Sequence, residues 1–133
     1  MPVKRASNKA KAKADTLFSL IIRSEGSCMQ CGWTCTCENA PKAHTRDCKL
    51  TTSHIIGRKY SATRTLEMNA QCICYSCHRR FTDWPREFSR WITDTIGSEA
   101  YDELVRTAQT VTKVDWEAEV DRLTLKAKDL GIK

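Results

Sequence analysis

At 133 residues the chain is long enough for one domain, whose folding covers about two-thirds of the surface the unfolded chain exposes. It carries a net charge of +6 and eight cysteines. It has no signal-peptide pattern and no apolar run of about eighteen residues, so a membrane partner is excluded and the expected setting is the cytoplasm. Disulfides are disfavoured there, and metal binding is the better use of the thiols.

The charge is uneven. The first fourteen residues hold Lys4, Arg5, Lys9, Lys11 and Lys13 with no acid, and residues 42–64 add Lys42, Arg46, Lys49, Arg58, Lys59 and Arg64 against Asp47 alone. Clustered cations of this kind favour a polyanionic partner, because each phosphate contact releases condensed counterions. Residues 1–11 are small, polar and basic and are expected to lack structure. From Ala12 to Arg23 the apolar residues Leu17, Leu20 and Ile21 recur at helical spacing, and Gly26 with Ser27 ends that helix. Residues 1–27 are thus a basic arm and helix.

Cys28-Met-Gln-Cys31-Gly32 places two thiols at the spacing of a metal-binding turn, and Cys74-Tyr-Ser-Cys77 supplies two more, enough to close a tetrahedral zinc site. The sequence between them holds Cys35, Cys37 and Cys48, and Cys72 stands just before the second pair. These four, with His44 as a substitute, could hold a second zinc ion; spacing leaves the partition open. Few large apolar residues lie between Cys28 and Thr65, so metal is expected to replace the missing core there: about 10–16 kcal/mol in small zinc modules.

Leu50–Ile56 is rich in β-branched residues and predicts a strand, with His54 near its end; Gly57 turns the chain, and 58–66 is expected to return as a second strand or an extended loop. Asn69 follows, its side-chain carbonyl suited to accept from one imidazole nitrogen and so fix the tautomer. A short helix is expected over Tyr75–Phe81, carrying His78, Arg79 and Arg80. Pro85 opens a helix to Ile96 with an apolar stripe of Phe88, Trp91 and Ile92. Ser98 reads as the cap of the next helix, with Tyr101, Leu104 and Val105 inward. A last helix runs from Lys113 or Asp115 to Leu130 with Trp116, Val120, Leu123 and Ala127. The C-terminal part, 91–133, is thus mostly helical, its stripes serving as core or as a homodimer face.

His54, Asn69 and Cys74-x-x-Cys77-His78, with Cys28-x-x-Cys31 upstream, together resemble the HNH endonuclease family. Ser53-His54-Ile-Ile-Gly-Arg58 through Arg64 to Asn69-Ala-Gln-Cys72 is also similar to phage recombination nucleases of the NinG or Rap type. The resemblance implies an α+β fold: a zinc-stabilised ββα-metal core, here residues 28–90, with flanking helices. It implies a metal-dependent DNA endonuclease with His54 as general base, Asn69 orienting it, and His78 binding a catalytic Mg2+ or Mn2+ ion. Cys28, Cys31, Cys74 and Cys77 would share the structural Zn2+. Arg58 and Arg64 are then candidates to clamp the phosphate, with Lys59, Arg79 and Arg80 on neighbouring ones.

Two positions depart from the pattern. Ser53 stands where many members have an acid or a histidine on the metal, and Thr82 where some have a further histidine. A second metal ligand would come from His44, Asp47, Asp83 or water. The departures keep open a zinc-dependent nucleic-acid-binding module that does not cut, beside a zinc scaffold for another protein.

Overall fold

The computed structural model describes residues 2–37, 48–110 and 113–132. Its centre is an antiparallel pair of short strands, β1 (Leu50–His54) and β2 (Ala70–Cys74), in the register Leu50 opposite Cys74 and His54 opposite Ala70. The register carries the β-branched Thr51 and Thr52 across from Ile73 and Cys72. Neither the return strand nor the extended loop expected over 58–66 forms. Three successive turns occupy that stretch, closed by Tyr60 N–H to Gly57, Thr63 to Tyr60 and Arg64 to Ser61, and a short 3-10 helix (Glu67–Asn69) leads into β2. Local turn bonds satisfy the backbone there, leaving no ladder for the sheet to use.

Helix α1 spans Pro2–Arg23, so the stretch expected to lack structure is helical almost to its start. Ala10, Ala12 and Ala14 alternate with Lys9, Lys11 and Lys13, and both residue types have high helix propensity. Ala14, Phe18, Ile21 and Ile22 form its buried face, and burying a side chain such as Phe18 contributes about 1.5–3 kcal/mol. The face packs mainly on the last helix, α5 (Trp116–Asp129), whose Trp116, Leu123 and Ala127 are buried in the same core, and secondarily on the sheet. Much of the apolar stripe of α5 is therefore covered within the chain. The Asp115 carboxylate caps α5 by accepting from the Ala118 N–H at 3.1 Å.

Helix α2 (Tyr75–Asp83) follows β2 directly, and Pro85 starts α3 (Pro85–Ile96). Phe81 of α2 stacks on Trp91 of α3, ring centroids 5.2 Å apart, with Phe88 beside them. Helix α4 (Ser98–Ala108) lies against α3, and Ile92, Leu104 and Ala108 are buried. Ser98 is not the cap of α4: Gly97, at φ +88°, takes that place, and Ser98 is the first helical residue. The result is an α+β architecture, a two-stranded sheet flanked by helices.

Candidate metal centre and polar cleft

The turn after α1 and the start of α2 bring four sulfur atoms together. The Cys28 carbonyl accepts from Gly32 N–H at 2.9 Å, and Gly32 has φ +81°, so the chain folds back beneath Cys28 and Cys31. The Met29 N–H donates to the Cys72 carbonyl at 2.8 Å and fastens this turn to β2, whose end delivers Cys74 and then Cys77. The Sγ atoms of Cys28, Cys31, Cys74 and Cys77 all lie within 4.8 Å of one another, with Cys31 and Cys74 at 3.7 Å. A tetrahedral ion with sulfur bonds of about 2.3 Å would separate its ligands by roughly 3.8 Å, so the four cysteines fit zinc in number, element and spacing.

The protonation pattern agrees. Burial pushes the Cys28 thiol up, but backbone amides of Cys31, Cys74 and Gln30 aimed at its sulfur outweigh burial and bring it down to about 7. Burial raises Cys74 and Cys77; bonds to the neighbouring sulfurs raise Cys77 further, whereas the amide and sulfur of Cys77 partly offset the rise at Cys74. One thiolate forms readily and the next are resisted; a dication among them removes that resistance.

A second group is formed by Cys35, Cys37 and Cys48, again with sulfurs within 4.8 Å of one another. Burial, then the neighbouring Cys37 and Cys35, pushes Cys48 up to about 11. Cys72 is outside both groups. It sits on β2 opposite Thr52, 1 % exposed, and burial pushes its thiol up to about 12, so it behaves as a small core side chain. The expected fourfold set of Cys35, Cys37, Cys48 and Cys72 is corrected to three thiols; His44, the substitute, lies outside the described residues.

His54, at the end of β1, and His78, on α2, line one cleft of about 600 Å3, together with Asp15 and Phe18 of α1, Thr52 and Arg58. The Phe18 ring lies 5.5 Å from the His54 ring. His54 Nε2 is 3.0 Å from the Arg64 carbonyl oxygen. A carbonyl only accepts, so Nε2 carries the hydrogen and the neutral ring keeps its lone pair on Nδ1. Burial lowers the pKa of His54 from its usual value, outweighing the opposing carbonyl bond, and the imidazole is neutral at pH 7.

Asn69 is fully buried, but its partners are not the expected ones. Its Oδ1 accepts from Ile56 N–H at 2.8 Å, while Nδ2 donates to the carbonyls of Ile56 at 3.1 Å and Thr63 at 2.9 Å. Asn69 fixes the loop after His54; the Arg64 carbonyl fixes the ring. From sequence, the asparagine was assigned to the imidazole because it falls in one resembling pattern with His54, Cys74, Cys77 and His78. A backbone carbonyl ten residues away leaves no mark in residue type.

The cations divide. Arg58 is exposed beside the cleft, and Arg79 is exposed on α2. Lys59 is exposed, its ammonium 5.0 Å from the centre of the Tyr60 ring. Arg80 donates to Glu87 at 2.9 Å. Arg64 is engaged inside the fold: Nε and Nη2 donate to the two carboxylate oxygens of Asp15 at 2.8 and 2.6 Å, and Nη1 donates to the Arg58 carbonyl at 3.0 Å. Its expected role as a phosphate clamp is therefore corrected to a structural one, since the planar fork is already occupied. Ser53 is buried and absent from the cleft lining, and the Thr82 hydroxyl donates to the His78 carbonyl at 2.9 Å. Asp83 is exposed and also absent from that lining, whereas Asp47 lies outside the described residues. The acid that does reach the cleft, Asp15, went unnoticed in the sequence, although it is the sole acid before Glu25.

Fold and sulfur geometry together define a small α+β module with two cysteine clusters able to chelate metal, compatible in outline with a metal-binding nuclease fold. Comparison with family models, curated proteins and solved structures finds no match to this chain. Among the described residues, no helix is long and apolar enough to cross a membrane.

Proposed function

We propose that the chain is a metal-dependent DNA endonuclease of the HNH type, serving phage or mobile-element DNA recombination or processing, with zinc as structural metal. The observation that carries this reading is the bond from His54 Nε2–H to the Arg64 carbonyl, which leaves Nδ1 of a neutral, half-buried imidazole as the basic atom in a cleft shared with His78. In this reading His54 removes the proton of an attacking water at Nδ1, and the strand and the Arg64 carbonyl hold the ring in place. Arg58 binds a non-bridging phosphate oxygen, its guanidinium being exposed at the cleft. Lys59 and Arg79 extend the basic surface to neighbouring phosphates.

No third ligating side chain gathers around His78 among the described residues. Magnesium and manganese suit that environment, because such ions retain several waters and use only one or two protein groups beside a substrate phosphate. His78 would hold the ion, and the ion's charge would stabilise the developing phosphorane and the leaving oxygen. Supercoiled plasmid given to zinc-loaded protein with either ion, beside His54→Ala, tests the proposal.

A second reading is favoured by Ser53 and Thr82. One is turned into the core and the other bonded to a carbonyl, so neither adds a ligand to His78. The chain would then be a zinc-dependent module that binds DNA without cutting it, and the plasmid would be retarded on a gel but remain intact.

A further inference from the structure

Arg64 joins three parts of the molecule. Its guanidinium grips Asp15 of α1 with two parallel bonds of 2.8 and 2.6 Å, its Nη1 holds the Arg58 carbonyl at 3.0 Å, and its own carbonyl accepts from His54 Nε2 at 3.0 Å. Asp15 and Arg64 are 49 residues apart in sequence, and both side chains are largely covered, at 23 % and 16 % exposure. Shielded, bidentate and between a planar fork and a carboxylate, the pair has the geometry in which an ion pair fixes position. The loop it fixes is otherwise held by single-turn bonds, by Asn69, and at Thr65 by Glu119 and Arg122 of α5, which hold the Thr65 hydroxyl and carbonyl but not the Arg64 carbonyl. Without the fork, the Arg64 peptide can rotate and withdraw the acceptor that orients His54.

We propose that Asp15 is a positioning residue for the catalytic histidine: by holding the Arg64 guanidinium it sets the Arg64 carbonyl that orients the His54 ring, and it holds the backbone of Arg58 at the same time. Helix α1 is thereby part of the site and not only its support. The inference rests on the nuclease reading for its effect on cutting, but the hydrogen bond it invokes exists or fails independently of any activity.

The test uses full-length, zinc-loaded protein with 15N-labelled histidine and two measurements. The first is the downfield imidazole N–H resonance of His54, identified by its loss in His54→Gln. It is present in the parent and in Asp15→Glu, and is broadened away by solvent exchange in Asp15→Asn. The second is plasmid nicking with Mn2+: Asp15→Asn lowers kcat about 10- to 100-fold with KM changed less than about twofold, and Asp15→Glu restores most of it. Should Asp15→Asn fail to fold, Arg64→Lys, which keeps a cation but lacks the fork, is read at the same two signals and shows the same losses. A resonance and a kcat both unchanged in a folded Asp15→Asn protein overturn the proposal. A parent that shows the resonance but does not nick refutes the nuclease reading and leaves the resonance to decide the role of Asp15.

Discussion

Asn69 holds Ile56 by both sides of its peptide group, Oδ1 accepting the N–H at 2.8 Å and Nδ2 donating to the carbonyl at 3.1 Å. With its third bond to Thr63, it stitches the loop that follows His54 to the strand that follows the loop. Asn69→Ala removes all three bonds in a fully buried site and is predicted to destabilise the zinc-loaded protein by about 3 kcal/mol. Asn69→Asp is predicted to be worse, because a carboxylate oxygen would face the Ile56 and Thr63 carbonyls where an amide donor now stands. Urea unfolding of both variants checks the order.

The sulfur clusters predict a stepwise loss of metal. Two zinc ions per chain are expected by native mass spectrometry, with Cys77→Ser and Cys48→Ser each removing one and Cys72→Ala removing none. Protons compete with metal for thiolates, and the group of Cys35, Cys37 and Cys48 offers an ion one thiolate fewer than the group of Cys28, Cys31, Cys74 and Cys77. On acidification the ion at Cys35, Cys37 and Cys48 should therefore leave first, giving a plateau at one zinc per chain. Simultaneous loss of both ions would contradict this assignment.

The Cys28 shift has its own sign in the metal-free protein. A thiol whose folded value, about 7, lies below its ordinary 9.0 contributes stability present above about pH 9 and lost as pH falls through 7. Cys72, at about 12, works in the opposite sense: its contribution is complete below 9 and is lost as pH rises toward 12. Cys28→Ser should therefore flatten the neutral part of the apoprotein's stability profile, and Cys72→Ala the alkaline part, measured as urea midpoints across pH.

The lowered His54 pKa makes a kinetic prediction. Its proton is lost below the ordinary 6.5, so kcat/KM for DNA cleavage should rise with pH along an acid limb whose midpoint lies under 6.5. A limb centred above 6.5 would show that His54 is not the group that titrates.

The division among the arginines separates binding from folding. Arg58→Ala should reduce the slope of DNA affinity against salt by about one phosphate contact and leave the urea midpoint unchanged. Arg64→Ala should lower the urea midpoint, because it strands the Asp15 carboxylate and frees the Arg58 carbonyl. Filter binding at several salt concentrations and urea unfolding distinguish the two.

Much of the scaffold was legible because local chemistry writes it. Pro85 and Gly97 bound α3, Asp115 caps α5, and the cysteine pairs announce their cluster by spacing. The loop 58–66 was not, because extended chain and serial turns share the same residue types until backbone partners are known. Arg64 was misread and Asp15 overlooked for a related reason. A surface arginine and an arginine clamped 49 residues away look alike in sequence, and tertiary packing alone decides between them. Cys72 likewise looked like a ligand among ligands until its neighbours in β2 turned it into the core.

The central claim is most directly tested by single-turnover cleavage of end-labelled DNA by zinc-loaded protein with Mn2+, the parent beside His54→Ala and His78→Ala. The account predicts cutting by the parent and a loss of at least about 100-fold in each variant, with zinc content and DNA affinity retained. Equal cutting by the parent and His54→Ala, or tight binding by all three with no cutting by any, would contradict it.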